Sequence, residues 1–154
     1  MANQPCLLDR LTDDDPRKSA EASSQRSISV ERYREGVLRD LMWLFNASAH
    51  VVDEGNSGLD LETFPHANRS VINFGIRHLF GIMTPDMEDL NKRLIQALYA
   101  FEPRIIRNTL KVRARHEGNV IALEIQGELW GNPIQQLRLK TLLDIENGHA
   151  TVST

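Results

Sequence analysis

The feature that most limits what this chain can fold into is a change of hydrophobic period at Pro103. Upstream, apolar residues recur every three or four positions. Downstream they alternate. Val37, Leu38, Leu41, Leu44 and Phe45 fall on one face of a helix over residues 31–46. Met87, Leu90, Leu94, Leu98 and Phe101 form a second stripe, with Thr84 suited to cap it and Pro85 to open it. Between them a short helix is expected from Pro65 to Phe74, with Gly75 left-handed after its end. Beyond Pro103, residues 106–115 alternate, and Leu110, Val112 and Ala114 point inward. Gly118-Asn119 suits a hairpin turn. Ile121, Leu123, Ile125 and Leu129 then face in, and Gly131-Asn132-Pro133 breaks the strand. Leu137, Leu139, Leu143 and Ile145 mark a third strand that Gly148 ends. The order predicts an α+β fold: three N-terminal helices followed by an antiparallel three-stranded β-meander.

Residues 1–27 stand apart as a flexible N-terminal head, ahead of a single domain over residues 28–150. The stretch 12–27 is polar, mixed in charge and without period, with too little apolar surface to offset ordering entropy. Leu7, Leu8 and Leu11 precede it with helical spacing. They suit either a frayed end on the chain's own domain or a short anchor that folds on a partner.

Composition narrows the function. The 154 residues carry 18 basic and 21 acidic side chains, a formal net charge of -3 that gives no global pull toward nucleic acid. Cys6 is the one cysteine, so neither an internal disulfide nor a multi-cysteine zinc site can form. No apolar run approaches the roughly 20 residues of a membrane helix. His50, His66, His78, His116 and His149 lack the paired spacing of a ligand set, and no Gly-rich phosphate loop or nucleophile elbow occurs. No metal or cofactor is expected.

Two local features remain. Glu102-Pro103-Arg104 places a carboxylate at a helix C-terminus, against the dipole, at a cost of about 0.3–1 kcal/mol unless a cation sits nearby. Arg104 and Arg107 are at hand, and Pro103 stiffens the corner. The charges suit a structural ion pair or a recognition corner for a protein. As a general acid, Glu102 would need a second carboxylate, and spacing selects none among Asp53, Glu54, Asp60 and Glu62. The other feature is a run of five basic residues and no acid from Pro103 to His116. Glu124 and Glu128 on the next strand fall opposite or near it, so it reads as a cross-strand charge ladder or as a basic strip for an acidic partner.

In order along the chain, Pro5-Cys-Leu-Leu-Asp-Arg-Leu-Thr12, Asp40-Leu-Met-Trp-Leu-Phe-Asn46, Phe64-Pro-His-Ala-Asn-Arg-Ser-Val-Ile-Asn-Phe-Gly75 and Glu102-Pro103-Arg104 resemble the motifs of the TssE family. These are type VI secretion baseplate subunits of the phage-tail wedge group, which also carries the label lysozyme-like. The resemblance implies a cytoplasmic structural part of a contractile injection machine, not an enzyme. It implies contact of Glu102, Pro103 and Arg104 with the baseplate core bundle of TssF and TssG, with TssK further out. Leu7, Leu8 and Leu11 would anchor the head. Residues 106–146, including Arg107, Lys111, Arg113, Leu137 and Leu139, would face the sheath proteins TssB and TssC and start their assembly by strand pairing. The isolated chain is expected to be monomeric. The alternative is a peptidoglycan hydrolase using Glu102. The polar insert from Lys18 to Ser27 departs from the family pattern.

Overall fold

The computed structural model describes residues 3, 5–11, 17, 28–49, 64, 66–76, 86–131, 133–144 and 149–153. A five-residue helix, α1 (Leu7–Leu11), precedes two long helices, α2 (Val30–Asn46) and α3 (Met87–Phe101). Four strands follow: β1 (Lys111–Glu117), β2 (Val120–Leu129), β3 (Gln135–Asp144) and β4 (Ala150–Ser153). They form one antiparallel sheet in the order β1-β2-β3-β4.

The α+β class stands, but the count of elements is corrected. Among the described residues the long helices are two, α2 and α3. The stretch expected as a middle helix holds two three-residue 3-10 turns, Ala67–Arg69 and Val71–Asn73. Ser70 divides them. Its backbone is extended, its hydroxyl donates to the Ala67 carbonyl at 2.7 Å, and its Oγ accepts from Ile72 N. A serine that captures backbone groups in this way competes with helix continuation. Among the described residues the strands number four. β4 is a four-residue segment of small and β-branched residues with a single aliphatic side chain larger than alanine, too short to register as a period. The first strand also starts later than the alternation suggests, because Arg107–Thr109 is a 3-10 turn. Pro65, Thr84, Pro85, Ile145 and Gly148 lie outside the described residues, as does the stretch 12–27 apart from Arg17.

Local chemistry accounts for the long helices. Ser29 Oγ accepts from Arg32 N at 3.2 Å, satisfying one of the unpaired donors at the start of α2. Asp86, rather than Thr84, caps α3 through Glu88 N at 2.9 Å. Glu88–Lys92 and Asp89–Arg93 pair one turn apart on its wet face. Its dry face buries Leu90, Leu94 and Leu98, each contributing about 1.5–3 kcal/mol by burial.

The core lies between the helices and one face of the sheet. Val37, Leu41, Leu44 and Phe45 of α2 meet Ile121, Leu123, Ile125, Leu137, Leu139 and Leu143. α3 packs beside β1 and α2 beside β4, so the two helices cover opposite ends of the sheet. Phe74 meets Phe101 edge-on with centroids 5.3 Å apart, which ties the 3-10 segment to the end of α3. Gly75, at φ 121, presses on the end of α2: a Cβ there would lie 2.3 Å from the Ala47 carbonyl oxygen. Gly118 is left-handed at φ 64 in the β1–β2 turn, as the hairpin reading requires. Among the described residues no helix is long and apolar enough to cross a membrane.

Candidate functional site

α3 ends at Phe101, and the chain turns through Glu102, Pro103 and Arg104 into the sheet. Backbone bonds stitch this corner to the far end of β2. Trp130 N donates to Arg104 O at 2.8 Å, and Ile106 N donates to Glu128 O at 2.8 Å. Ile105 bridges Leu129 and is buried. Pro103 is therefore held outward on a fixed backbone.

Glu102 is only 2% exposed. A buried carboxylate at the negative end of a helix needs a cation and hydrogen bonds. Arg104 supplies both. Its backbone N–H donates to Glu102 Oε1 at 3.1 Å and its Nε to the same oxygen at 2.6 Å, while Nη2 donates to Oε2. Nη2 also donates to Asp40 Oδ2 on α2 at 2.6 Å. Burial alone would disfavour the charge on Arg104. The hydrogen bond and charge of Glu102, and then those of Asp40, outweigh it and raise its pKa.

The charges continue beyond the corner. Arg39 donates to Asp40 Oδ1 through Nε at 3.1 Å and Nη2 at 3.0 Å, and through Nη1 to Asp9 Oδ1 of α1 at 2.6 Å. Arg39 Nη2 reaches Cys6 Sγ at 3.2 Å. Glu102, Arg104, Asp40, Arg39 and Asp9 thus alternate in sign from the corner to the head. The hydrogen bond from Arg39 lowers the pKa of Asp9, outweighing its desolvation. Gly36 leaves room for this contact, since a Cβ there would stand 3.3 Å from Asp9 Oδ2. Tyr33, on the same helix, donates its hydroxyl to Trp130 O at 2.7 Å. Desolvation raises the pKa of that phenol.

α1 is docked with its polar side inward. Leu7 and Leu11 are 71% and 72% exposed on the other side. Leu8 belongs to α1, and its side chain lies outside the described residues. Beside the corner, Pro103, Ile105, Ile106, Arg107, Asn108 and Trp130 line a groove of ≈ 360 Å³. Trp130 is 61% exposed. None of the six is acidic, and both oxygens of Glu102 are engaged by Arg104. Among the described residues, then, no carboxylate lines the groove in the place a general acid would take.

The structure brings Glu102, Pro103 and Arg104 together and joins them to the head that carries Leu7 and Leu11. It separates the sheet residues. Lys111 and Arg113 are exposed on the outward face of β1, while Leu137 and Leu139 are buried in the core from β3. Arg107 sits in the turn before β1, its guanidinium over the Tyr99 ring at 5.4 Å. Arg39 and Asp40 fall on the polar face of the α2 pattern, and no spacing in the sequence ties them to Asp9. One signal pointed to them: Gly36 interrupts a helical pattern, which usually has a packing reason.

The two edges of the sheet differ. On the β1 side, Ala114 N donates to Asn91 Oδ1 of α3 at 2.9 Å, so the helix covers that edge. On the other side, among the described residues, β4 pairs with Lys140–Leu143. Gln135–Leu139 of β3 has β2 on one side and no described strand on the other.

The described α+β domain thus combines a stitched corner with a β3 edge that no described strand covers over Gln135–Leu139. The profile of the family described as baseplate wedge protein gp25 matches residues 31–134, from the first turn of α2 to the loop before β3. The chain belongs to this family. Comparison with curated proteins and with solved structures returns no match.

Proposed function

We propose that this chain is the wedge subunit of a type VI secretion baseplate, a cytoplasmic structural part rather than a hydrolase. In this reading it binds the TssF and TssG core bundle, with TssK further out, and starts sheath assembly by pairing with strands of TssB and TssC. The observation that carries the proposal is the Glu102-Pro103-Arg104 corner. Family membership supports the baseplate role, and the corner supplies a rigid surface for it. Glu102 acts from inside, fixing Arg104 and Pro103. The partner meets Pro103, the outer side of Arg104 and the groove ending at Trp130. Leu7, Leu8 and Leu11 add an apolar anchor, supported by the outward exposure of Leu7 and Leu11.

Strand pairing is assigned to the open edge of β3. There Leu137 and Leu139 take part through their backbones, which a buried side chain does not prevent. Lys111 and Arg113 on β1 border the covered edge.

The test is recovery of partners by the tagged chain from cells that carry the system. Wild type should recover TssF and TssG. Glu102→Ala, Arg104→Glu and the surface change Trp130→Ser should each lose them while keeping the wild-type circular dichroism spectrum. Normal recovery with all three variants would sink the corner assignment. A cysteine at Gln136 should cross-link to sheath protein more strongly than one at Lys111. The reverse order would move strand pairing to the other edge.

A further inference from the structure

The register of the sheet decides between the two readings of the basic strand. On the outward face, Lys111 lies opposite Gln126, which lies opposite Arg138. In the next row come Arg113, Glu124 and Lys140, and in the third Arg115, Ala122 and Leu142. A balanced ladder would put an acid beside each cation. These three central rows hold five cations and one carboxylate, Glu124, while the acids of the same face stand in the rows at either end, Glu128 on one side and Glu117 and Asp144 on the other. All five cations are exposed.

Their placement is regular. Lys111, Arg113 and Arg115 run along β1, and Arg138 and Lys140 run along β3. β2 between them offers Ala122, Glu124 and Gln126. Strand spacing sets the two cationic rails about 10 Å apart, and charges on one rail repeat about every 7 Å. An extended peptide repeats its same-side residues at that same interval.

We propose that this outward face binds an extended acidic segment of a partner protein, lying along β2 with alternate carboxylates between the two rails. Leu142, 50% exposed at the end of the third row, adds an apolar contact. Nucleic acid fits less well. The three rows contain no aromatic side chain to stack a base, and Glu124 stands in the middle of the track. The face lies apart from the corner and shares only Arg138 with the open edge of β3, through its side chain rather than its backbone, so its failure would leave the baseplate reading intact.

Fluorescence anisotropy with a labelled peptide of alternating Glu and Val tests the proposal. Wild type should bind it, with affinity falling about tenfold or more between roughly 0.05 and 0.3 M salt. The double change Lys111→Glu and Arg138→Glu should abolish binding. Glu124→Gln should tighten it by about two- to five-fold, a gain that a misfolded variant cannot imitate. The same charge reversal on α3, Lys92→Glu with Arg93→Glu, should leave it unchanged. Binding that survives the sheet reversal, or no gain with Glu124→Gln, would overturn the assignment. So would single-stranded DNA of equal length binding as tightly as the peptide. Neutralising Asp13, Asp14 and Asp15 to Asn should leave the affinity unchanged. A rise would mean that the chain's own head occupies the face, against a partner segment.

Discussion

Arg104 Nη2 lies 2.6 Å from Asp40 Oδ2, fastening the corner after α3 to a carboxylate 64 residues earlier on α2. The same guanidinium neutralises Glu102, so one side chain satisfies a buried acid and locks two elements together. Removing it leaves Glu102 buried without a counter-charge. Arg104→Met should therefore cost about 3 kcal/mol in urea unfolding. Adding Glu102→Gln to that variant should restore part of the loss, because the stranded charge is gone. Equal stability of the single and double variants would show that Glu102 is not the group Arg104 holds.

The docking of α1 should depend on pH in a defined direction. Hydrogen bonding from Arg39 lowers the pKa of Asp9 in the folded state. A lowered acid contributes stability in full above its unfolded value, about 3.9 for aspartate, and loses it as pH falls through the folded value. Amide shifts of Leu7–Leu11 should stay flat from pH 7 down to that region and then move together. Asp9→Asn should abolish the transition. A midpoint above the ordinary aspartate value would contradict the ion pair.

Gly75→Ala should be among the most damaging small substitutions. The new methyl would meet the Ala47 carbonyl at 2.3 Å at a backbone angle, φ 121, that alanine rarely adopts. Both obstacles are backbone, which cannot rotate aside. A loss of about 3 kcal/mol or more is expected in thermal or urea unfolding. By contrast, alanine at Gly118 meets nothing within 4 Å and should suffer only from its left-handed φ of 64.

Thr141 lies in the inward row between Leu123 and Val152, 1% exposed. Its hydroxyl finds no hydrogen-bond partner among the described residues. Thr141→Val keeps the shape and removes the stranded group. It should raise stability by about 1 kcal/mol, read as a higher urea midpoint at unchanged slope. A fall in the midpoint would show that the hydroxyl is satisfied in solution.

The sequence made the long elements legible because their periods are long. Seventeen residues of α2 and fifteen of α3 give room for apolar stripes several turns long. The middle segment misled because Pro65 and Gly75 look like helix ends, while Ser70 between them competes for the backbone. β4 is too short to show a period, and its first residue is held by a side chain from another element. Asn46 bonds both backbone groups of Ala150, across 104 residues. At the site, sequence placed Glu102, Pro103 and Arg104 together and left open whether they form a structural pair. It could not supply Asp40, Arg39 or Asp9, because their partnership arises from tertiary packing across α2. The sheet register was legible only as far as the hairpin, so the pairing of β3 with β2 decided which charges share a row.

The alternating charges that join α1 to the corner also define a path for mechanical load. A pull on α1 reaches Arg39 through Asp9, and from Arg39 and its neighbour Asp40 on α2 it reaches Arg104 at the corner. The links in this series are unequal. Arg39 is 34% exposed and Arg104 is 20% exposed, against 2% for Glu102. Asp9–Arg39 and Asp40–Arg104 join separate elements, whereas Arg39–Asp40 joins neighbours on α2. The contacts that hold the head, Asp9–Arg39, Cys6–Arg39 and the backbone bond from Ile28 to Asn3, all lie outside the Glu102–Arg104 pair, so the head can part while the corner keeps its shape, much as a fuse opens ahead of the circuit it protects.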